Sequence, residues 1–162
     1  MKLSEGVEWS LHCCSVLGTL PDGVALPSAR LAEFHDVPAA YLAKHLQALS
    51  QAGVVVSVPG RHGGYRLGRP AADITLLDVV LAVDGEDPAF RCSEIRQRGP
   101  SAVGLEHYVR PCGIARAMWD AETAWRDSLR SVTIGDLVAE LGSTVSPQQI
   151  DNAIAWLGKV LR

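Results

Sequence analysis

The side chains that could bind a metal ion or transfer a proton fall into two groups. The first group lies in the stretch VEWSLHCC and consists of Glu8, His12, Cys13 and Cys14. The second consists of Cys92 and Cys112, which have nineteen residues between them. Carboxylate, imidazole and thiolate groups are ligands of transition metals and of iron–sulfur clusters. The elements that hold these residues decide which of them can act together.

The N-terminal group lies on a predicted helix that runs from about Ser4 to Leu20 and ends at a Pro-Asp-Gly turn. At about 100° per residue, the polar residues form one narrow stripe, which includes Glu8 and His12. Cys13 and Cys14 fall among the apolar residues, so we predict that they are packing residues, because free cysteine behaves as a small hydrophobic side chain. Glu8 and His12 are one helical turn apart and could either bind one atom or form a solvated pair.

The composition is that of a soluble globular protein. The 162 residues are 48% hydrophobic and 20% charged, with a net charge of −3, which argues against a disordered chain. There is no apolar run of about 18 residues and no export signal, so we expect a cytoplasmic protein whose cysteines are thiols or metal ligands.

No nucleophile elbow, phosphate-binding loop or zinc signature accompanies the Glu8–His12 pair. We therefore predict that the protein is not an enzyme.

Three helices followed by a hairpin are predicted in the first half of the chain. The second helix covers SARLAEFH, and the third covers PAAYLAKHLQALSQAG with Gly53 as its stop signal. Strands are predicted at Val54–Val58 and Tyr65–Leu67, around a turn at Gly60–Gly64. This order predicts a mainly α fold with a small β-hairpin wing, namely a winged helix-turn-helix followed by a long dimerisation helix. A generic α+β domain is the alternative.

The second half is predicted to be helical apart from one long connection. A fourth helix begins at Thr75 and ends at Gly85, and residues 86–111 form the connection, whose length is typical of a functional or disordered segment. A long helix runs from Cys112 to about Val132. Two shorter helices follow at Thr133–Leu141 and Pro147–Leu161.

The long helix carries an apolar stripe with spacings of three and four residues. Its members are Ile114, Met118, Ala121, Trp125, Leu129 and Val132. A stripe of this kind resembles the seam of a coiled coil, so we predict that it packs against its own copy in a homodimer. Packing against the N-terminal domain is the alternative.

A basic segment lies within this acidic chain. Residues 28–70 carry five Lys or Arg residues against two acidic residues, and such a local surface is compatible with binding to double-stranded DNA. In a winged helix, the outward residues of the third helix and the tip of the wing meet the DNA. The predicted DNA-binding residues are Ser28, Ala39, Ala40, Tyr41, Lys44, Arg61, His62 and Arg66. The alternative is that these residues form an ordinary solvated surface.

Three features that follow one another resemble a known family. They are the motif GGYRLGRP after the wing, the motif TLLDVVLAVDG, and a cysteine-bearing loop followed by a long helix. Over about residues 1–142 the chain resembles the iron–sulfur cluster regulators and nitric-oxide-sensing repressors. The resemblance implies a dimeric winged-helix transcription factor, and many members hold a cluster through three closely spaced loop cysteines. The implied division is a winged helix-turn-helix domain (1–85), a cluster-binding loop (86–111) and a segment of dimerisation and C-terminal helices (112–162).

This chain departs from the family pattern because only Cys92 and Cys112 are present at the loop. A two-iron cluster needs four protein ligands, and Glu8 and His12 complete that number if the first helix meets the loop, for example across a dimer interface. The resulting set resembles that of a redox-sensing regulator in the same family, which implies a 2Fe–2S cluster as cofactor. Rival ligands within the loop are His107, Glu94 and Glu106.

The charge of such a site indicates a redox sensor. With a neutral imidazole in place of a thiolate, the site carries less negative charge than an all-thiolate site and should accept an electron more easily. Trp9, the bulky neighbour of Glu8, is predicted as the residue that transmits the redox change toward the DNA-reading helices. The alternative is a cluster-free winged-helix regulator that responds through a thiol switch of Cys92 and Cys112 or through another effector.

Overall fold

The computed structural model describes residues 3–61 and 63–161, which form seven α-helices and one two-stranded sheet. The elements are α1 (Glu5–Gly18), α2 (Ser28–His35), α3 (Ala39–Gln51), β1 (Val55–Val58), β2 (Gly64–Leu67), α4 (Leu76–Asp84), α5 (Gly113–Arg130), α6 (Ile134–Thr144) and α7 (Pro147–Val160). Short 3₁₀ turns lie at Ala71–Asp73, Ile95–Gln97 and Leu105–His107. Within this described part, no helix is both long and apolar enough to cross a membrane.

The helices α2 and α3 and the β1–β2 hairpin form a winged helix-turn-helix, which confirms the predicted fold class. The two strands of the wing are antiparallel. Leu26, just before α2, exchanges two backbone hydrogen bonds of 2.9 Å with Tyr65 of β2. Gly64 permits this approach, because its φ is +149° and a Cβ there would collide with the backbone of Leu26. The wing is therefore fastened to the start of the helix-turn-helix.

The core lies among α1 to α4 and the base of the wing. Its buried residues are Cys13, Cys14, Leu17, Leu26, Leu31, Ala32, Leu42, Leu46, Leu49, Val54, Val55, Ile74, Val79 and Ile134. The predicted apolar stripe of α3, which is Leu42, Leu46 and Leu49, is completely buried. Because α1 also contributes to this core, its rotation about its own axis is determined by packing. That rotation leaves its polar stripe on the outside.

The two C-terminal helices pack on the same core. Ile134 of α6 is fully buried in it, and the segments that precede α4 and α6 pair at Thr75 and Thr133. On α7, Trp156 packs against Phe34 of α2 with ring centroids 5.1 Å apart. The three-part division of the chain stays a prediction, and α6 and α7 lie against the first of its units.

The start of the connection between α4 and α5 is held by side chains of α5. The chain leaves α4 at Gly85, whose φ is +86°. Glu122 accepts a hydrogen bond of 3.0 Å from the backbone N–H of Ala89 and forms an ion pair of 2.8 Å with Arg126. Arg126 in turn donates to the carbonyl of Glu86. These bonds bring the loop onto the surface of α5.

Candidate functional site

The two faces of α1 separate its potential ligands. Cys13 and Cys14 are completely buried, whereas Glu8 and His12 lie on the exposed side. Burial raises the pKa of Cys13 and of Cys14 to about 12, and for Cys14 the neighbouring Cys13 adds to the effect. Both thiols therefore remain protonated at neutral pH. This confirms the prediction that the cysteine pair of α1 is a packing pair.

His12 has a second histidine beside it, which the sequence pattern did not indicate. The ring of His35, at the end of α2, lies with its centroid 5.6 Å from that of His12. The Nε2 atom of His35 is buried and has no hydrogen-bond partner among the described residues. Burial, followed by the charge of His12, lowers the pKa of His35. An imidazole whose charged form is disfavoured therefore lies beside His12.

The two loop cysteines each receive a backbone N–H group. Cys112 is the N-cap residue of α5, and its Sγ accepts a hydrogen bond of 3.2 Å from the N–H of Ala115. The Sγ of Cys92 accepts a longer one of 3.4 Å from the N–H of Glu94, whose backbone is left-handed with a φ of +46°. Both side chains are partly exposed. These two residues are thus partly exposed, and their sulfur atoms are oriented by the local backbone.

Arg96 and Tyr108 organise the loop around these cysteines, and neither was identified from the sequence. Arg96 donates two hydrogen bonds to the carboxylate of Glu94, at 2.5 and 2.7 Å, and one of 3.0 Å to the carbonyl of Arg110. The hydroxyl of Tyr108 donates to the carbonyl of Arg96 and accepts from the N–H of Val103. The bonds from Arg96 lower the pKa of Glu94. This loop segment is therefore ordered by its own contacts.

An open groove lies beside Cys92. It encloses about 630 Å³ and is lined mainly by apolar and aromatic side chains, among them Phe90, Tyr108, Val109 and Trp119. The first turns of α5 continue this apolar surface, because Ile114 is 71% exposed and Met118 is 43% exposed. The N-terminal half of the predicted dimerisation stripe is therefore uncovered in the single chain.

The four predicted ligands are not assembled within one chain. In residues 3–61 and 63–161, no group of three or more His, Cys, Asp or Glu side chains is arranged to hold a metal ion. Of the rival ligands, His107 and Glu106 lie 3.5 Å apart on an exposed turn, and Glu94 is already paired with Arg96. Glu8 and His12 do not form such a group with Cys92 and Cys112 in the described part of the chain.

The predicted DNA-binding residues that the structure describes lie at the surface of the helix-turn-helix and wing. Ala39, Ala40, Tyr41 and Lys44 are exposed on the first turns of α3, and Lys44 Nζ lies 5.6 Å from the centre of the Tyr41 ring. Ser28 is half-buried at the start of α2, Arg61 is exposed near the tip of the wing, and Arg66 is exposed on β2. His62 lies outside the described residues. Small residues and basic residues are thus both present on the exposed surface of α3 and the wing, the two elements that meet DNA in winged-helix proteins.

Comparison with known proteins identifies the family. A sequence model of the Rrf2 family, described as iron-dependent transcriptional regulator, matches residues 3–140. The chain belongs to the Rrf2 family. YwgB of Bacillus subtilis, named as an HTH-type transcriptional regulator, is 30% identical over 162 residues, which are 100% of this chain and 98% of YwgB. The family resemblance inferred from the motifs around the wing is therefore confirmed.

Solved structures show the same fold. CymR, the global cysteine regulator of B. subtilis, has a TM-score of 0.68 at 22% identity, and the match covers 86% of this chain and 97% of CymR. T. potens IscR has a TM-score of 0.66 at 18% identity, and the match covers 93% and 96% of the two chains. The family and its relatives are transcription regulators rather than enzymes. This Rrf2 protein is accordingly a DNA-binding transcription regulator with a winged-helix fold.

Proposed function

We propose that the protein acts as a homodimer that binds double-stranded DNA through α3 and the wing and senses redox state through a 2Fe–2S cluster. The observation that carries the proposal is the contrast between the cysteines. Cys92 and Cys112 are partly exposed, with a backbone N–H directed at each Sγ, whereas the other two cysteines are buried. Partly exposed cysteines with oriented sulfur atoms are suited to hold a cluster, whereas buried thiols in the core are not.

The exposed residues of α3 support the proposed DNA contacts. Ala39 and Ala40 are small enough to let the helix approach base edges and thymine methyl groups, and Lys44 can donate to bases or phosphates. Arg61 would enter a narrow minor groove, where the negative potential is strongest. The full proposed set is Ser28, Ala39, Ala40, Tyr41, Lys44, Arg61, His62 and Arg66.

The uncovered surface around α5 supports a homodimer. Ile114, Met118 and the neighbouring Val109 expose apolar side chains next to the groove at Cys92. Monomeric proteins rarely leave large contiguous apolar patches exposed, because their contact with water is unfavourable. Farther along the stripe, Trp125 and Leu129 are partly covered by their own chain. The free half of the stripe is therefore the half that adjoins the cysteines, where a second copy would pack.

Glu8, His12, Cys92 and Cys112 are the residues that would hold the cluster. Their donor types fit, since two thiolates, one imidazole and one carboxylate make the four ligands that a two-iron cluster needs. When bound, the cluster supplies a one-electron redox couple. Glu8 and His12 are exposed on the outer side of α1, and we propose that α1 of one subunit brings them to the cysteines of the other. His35 would support His12 from behind.

Trp9 is the proposed redox switch residue. It follows Glu8 in α1, and its ring packs against Tyr41 and His45 of α3, with centroid distances of 5.9 and 6.2 Å. A shift of α1 at Glu8 would therefore be passed to the DNA-reading helix through a direct aromatic contact.

A regulator without a cluster, in which Cys92 and Cys112 form a disulfide, is the second candidate. It is favoured by the lack of a metal-binding group within the described part of one chain and by the partial exposure of Cys92 and Cys112. Disulfide formation would remove two protons and two electrons from the two thiols and transfer them to an oxidant such as a peroxide. DNA binding would then depend on thiol oxidation.

Anaerobic purification separates the two candidates. We expect a coloured protein with equal amounts of iron and sulfide, which would support the cluster. A colourless protein that binds specific DNA and loses two accessible thiols on oxidation would instead support the thiol switch. The absorption spectrum, the iron and sulfide contents and the thiol count of the same sample are the measurements.

The redox coupling is tested by measuring the DNA affinity of both redox states. In the wild type we expect a difference of about 5- to 150-fold, the range of ordinary allosteric coupling. His12→Ala should weaken or lose the cluster and abolish this difference while the dimer persists. Trp9→Ala should keep the cluster but reduce the difference. Equal wild-type affinities, with the cluster intact in both states, would rule out sensing by electron transfer.

The DNA contacts are tested by removing one basic group at a time. Lys44→Ala should weaken binding and reduce the slope of its salt dependence by about one if the amine meets a phosphate. Arg61→Ala should cost most at sites with A/T-rich flanks. Lys159→Ala, on the exposed end of α7, is the matched control and should change neither quantity. Unchanged affinity in both wing and helix variants would contradict this docking mode.

A further inference from the structure

Gly6 and His45 join the first helix to the DNA-reading helix. Gly6 of α1 is buried, and three ring atoms of His45 on α3 (Cε1, Nε2 and Nδ1) lie within 2.8 Å of the position that a Cβ at residue 6 would take. Real Cβ atoms do not approach other atoms so closely. The imidazole ring of His45 therefore occupies space next to the α1 backbone that only a glycine leaves free.

Two aromatic side chains enclose the other sides of the His45 ring. Its centroid lies 5.4 Å from that of Tyr41 and 6.2 Å from that of Trp9, and all three ring pairs, including Trp9–Tyr41, are in edge-to-face geometry. Such pairs are attractive beyond the area that they bury. Lys44 Nζ in turn lies near the Tyr41 ring. Two proposed DNA contacts are thus connected to α1 through this cluster of rings.

Hydrogen bonding does not explain a histidine at this position. The Nε2 atom of His45 is buried and has no hydrogen-bond partner in residues 3–61 and 63–161. A buried polar atom without a partner reduces stability. The shape of the ring, rather than its polarity, is therefore what makes the contact with Gly6.

The geometry points to His45 as a positioning residue. Its ring packs against the backbone at Gly6, and this contact determines how α3 is placed on DNA. In this role His45 acts through α3 and not through a DNA contact of its own. It holds α3 against α1 so that Tyr41 and Lys44 face the major groove together. The inference rests on the proposed docking of α3 but is independent of the cluster, because the contact requires neither metal nor a change of redox state.

A double-mutant cycle tests this role. The probe is a duplex selected by the wild-type protein from a random-sequence pool, with a scrambled duplex as the non-specific reference. Gly6→Ala should displace the ring and weaken binding to the selected duplex by about tenfold, because residues in contact are strongly coupled. His45→Ala should do the same. In the His45→Ala background, Gly6→Ala should have almost no further effect, because the ring that its methyl group would strike is gone.

Three further measurements keep a positioning role distinct from a folding defect. Binding to the scrambled duplex should be unchanged in every variant, since the basic residues remain. His45→Phe, which retains a flat ring, should restore the preference for the selected duplex. Gly142→Ala is the control, because its added methyl group would meet no described atom within 4 Å other than its chain neighbours and the backbone of its own helix, and it should behave as wild type.

The results for the Gly6 and His45 variants distinguish a failure of the positioning role from a failure of the proposed DNA docking. If Lys44→Ala weakens binding but Gly6→Ala does not, His45 has no positioning role, whereas the proposed docking of α3 on DNA is still supported. Equal losses from Gly6→Ala in the presence and absence of the His45 ring would also overturn the inference. If Lys44→Ala and Arg61→Ala both leave the affinity unchanged, the docking itself fails, whatever the glycine variant does.

Discussion

The protein contains two pairs of cysteines whose surroundings are opposite. Cys13 and Cys14 are adjacent in sequence, but both are completely buried in the core. Cys92 and Cys112 are far apart in sequence, yet each is partly exposed and accepts a backbone N–H at sulfur. Nearness in sequence therefore does not indicate a metal site in this chain. The environment of the sulfur atom separates a packing residue from a candidate ligand.

The largest expected difference between the pairs is in holding iron. Cys92→Ala and Cys112→Ala should each abolish the cluster, because each removes a thiolate that water replaces poorly. Cys13→Ala and Cys14→Ala should leave the iron and sulfide contents unchanged and cost only about 1 kcal/mol of stability through a small cavity. Iron and sulfide analysis after anaerobic purification is the measurement. Loss of colour in Cys13→Ala or Cys14→Ala would contradict the assignment of the α1 pair as packing residues.

The second-largest expected difference between the two pairs is in the reactivity of their thiols. Because burial raises the pKa of Cys13 and Cys14 to about 12, their thiolate fraction at pH 8 should be roughly 10³-fold below that of an ordinary thiol. In the metal-free protein, iodoacetamide should therefore modify Cys92 and Cys112 long before the α1 pair, as followed by peptide mass spectrometry. In denaturant, all four should react at similar rates. Early modification of the α1 pair in the folded protein would contradict its burial.

The smallest expected difference is in tolerance of serine. Cys14→Ser places a hydroxyl in the core and should destabilise the metal-free protein by about 1–3 kcal/mol if the hydroxyl finds no partner. Cys112→Ser should change stability by about 0.5 kcal/mol or less, because serine is a good N-cap and can accept the same bond from Ala115. Urea unfolding of the two variants measures both values. Equal destabilisation would mean that the Cys112 sulfur is needed for more than capping α5.

Much of the fold could be predicted because its signals are local. The stop at Gly53, the cap at Thr75 and the exit at Gly85 each depend on a few neighbouring residues, and the buried face of α1 follows from helical periodicity. The contact of His35 with His12 and the bonds of Arg96 could not be predicted in this way. These contacts join residues from different segments through side chains that have several rotamers. Periodic patterns in the sequence indicate local structure and do not indicate such contacts.

A homodimer formed through the uncovered apolar surface of α5 would also change how the regulator responds to its own abundance. If two copies must meet before both halves of the DNA site can be occupied, the concentration of active species rises with the square of the chain concentration at low expression. Occupancy of a promoter would then change more steeply than the amount of protein. A modest change in synthesis or degradation could therefore act as a threshold, separate from any redox signal.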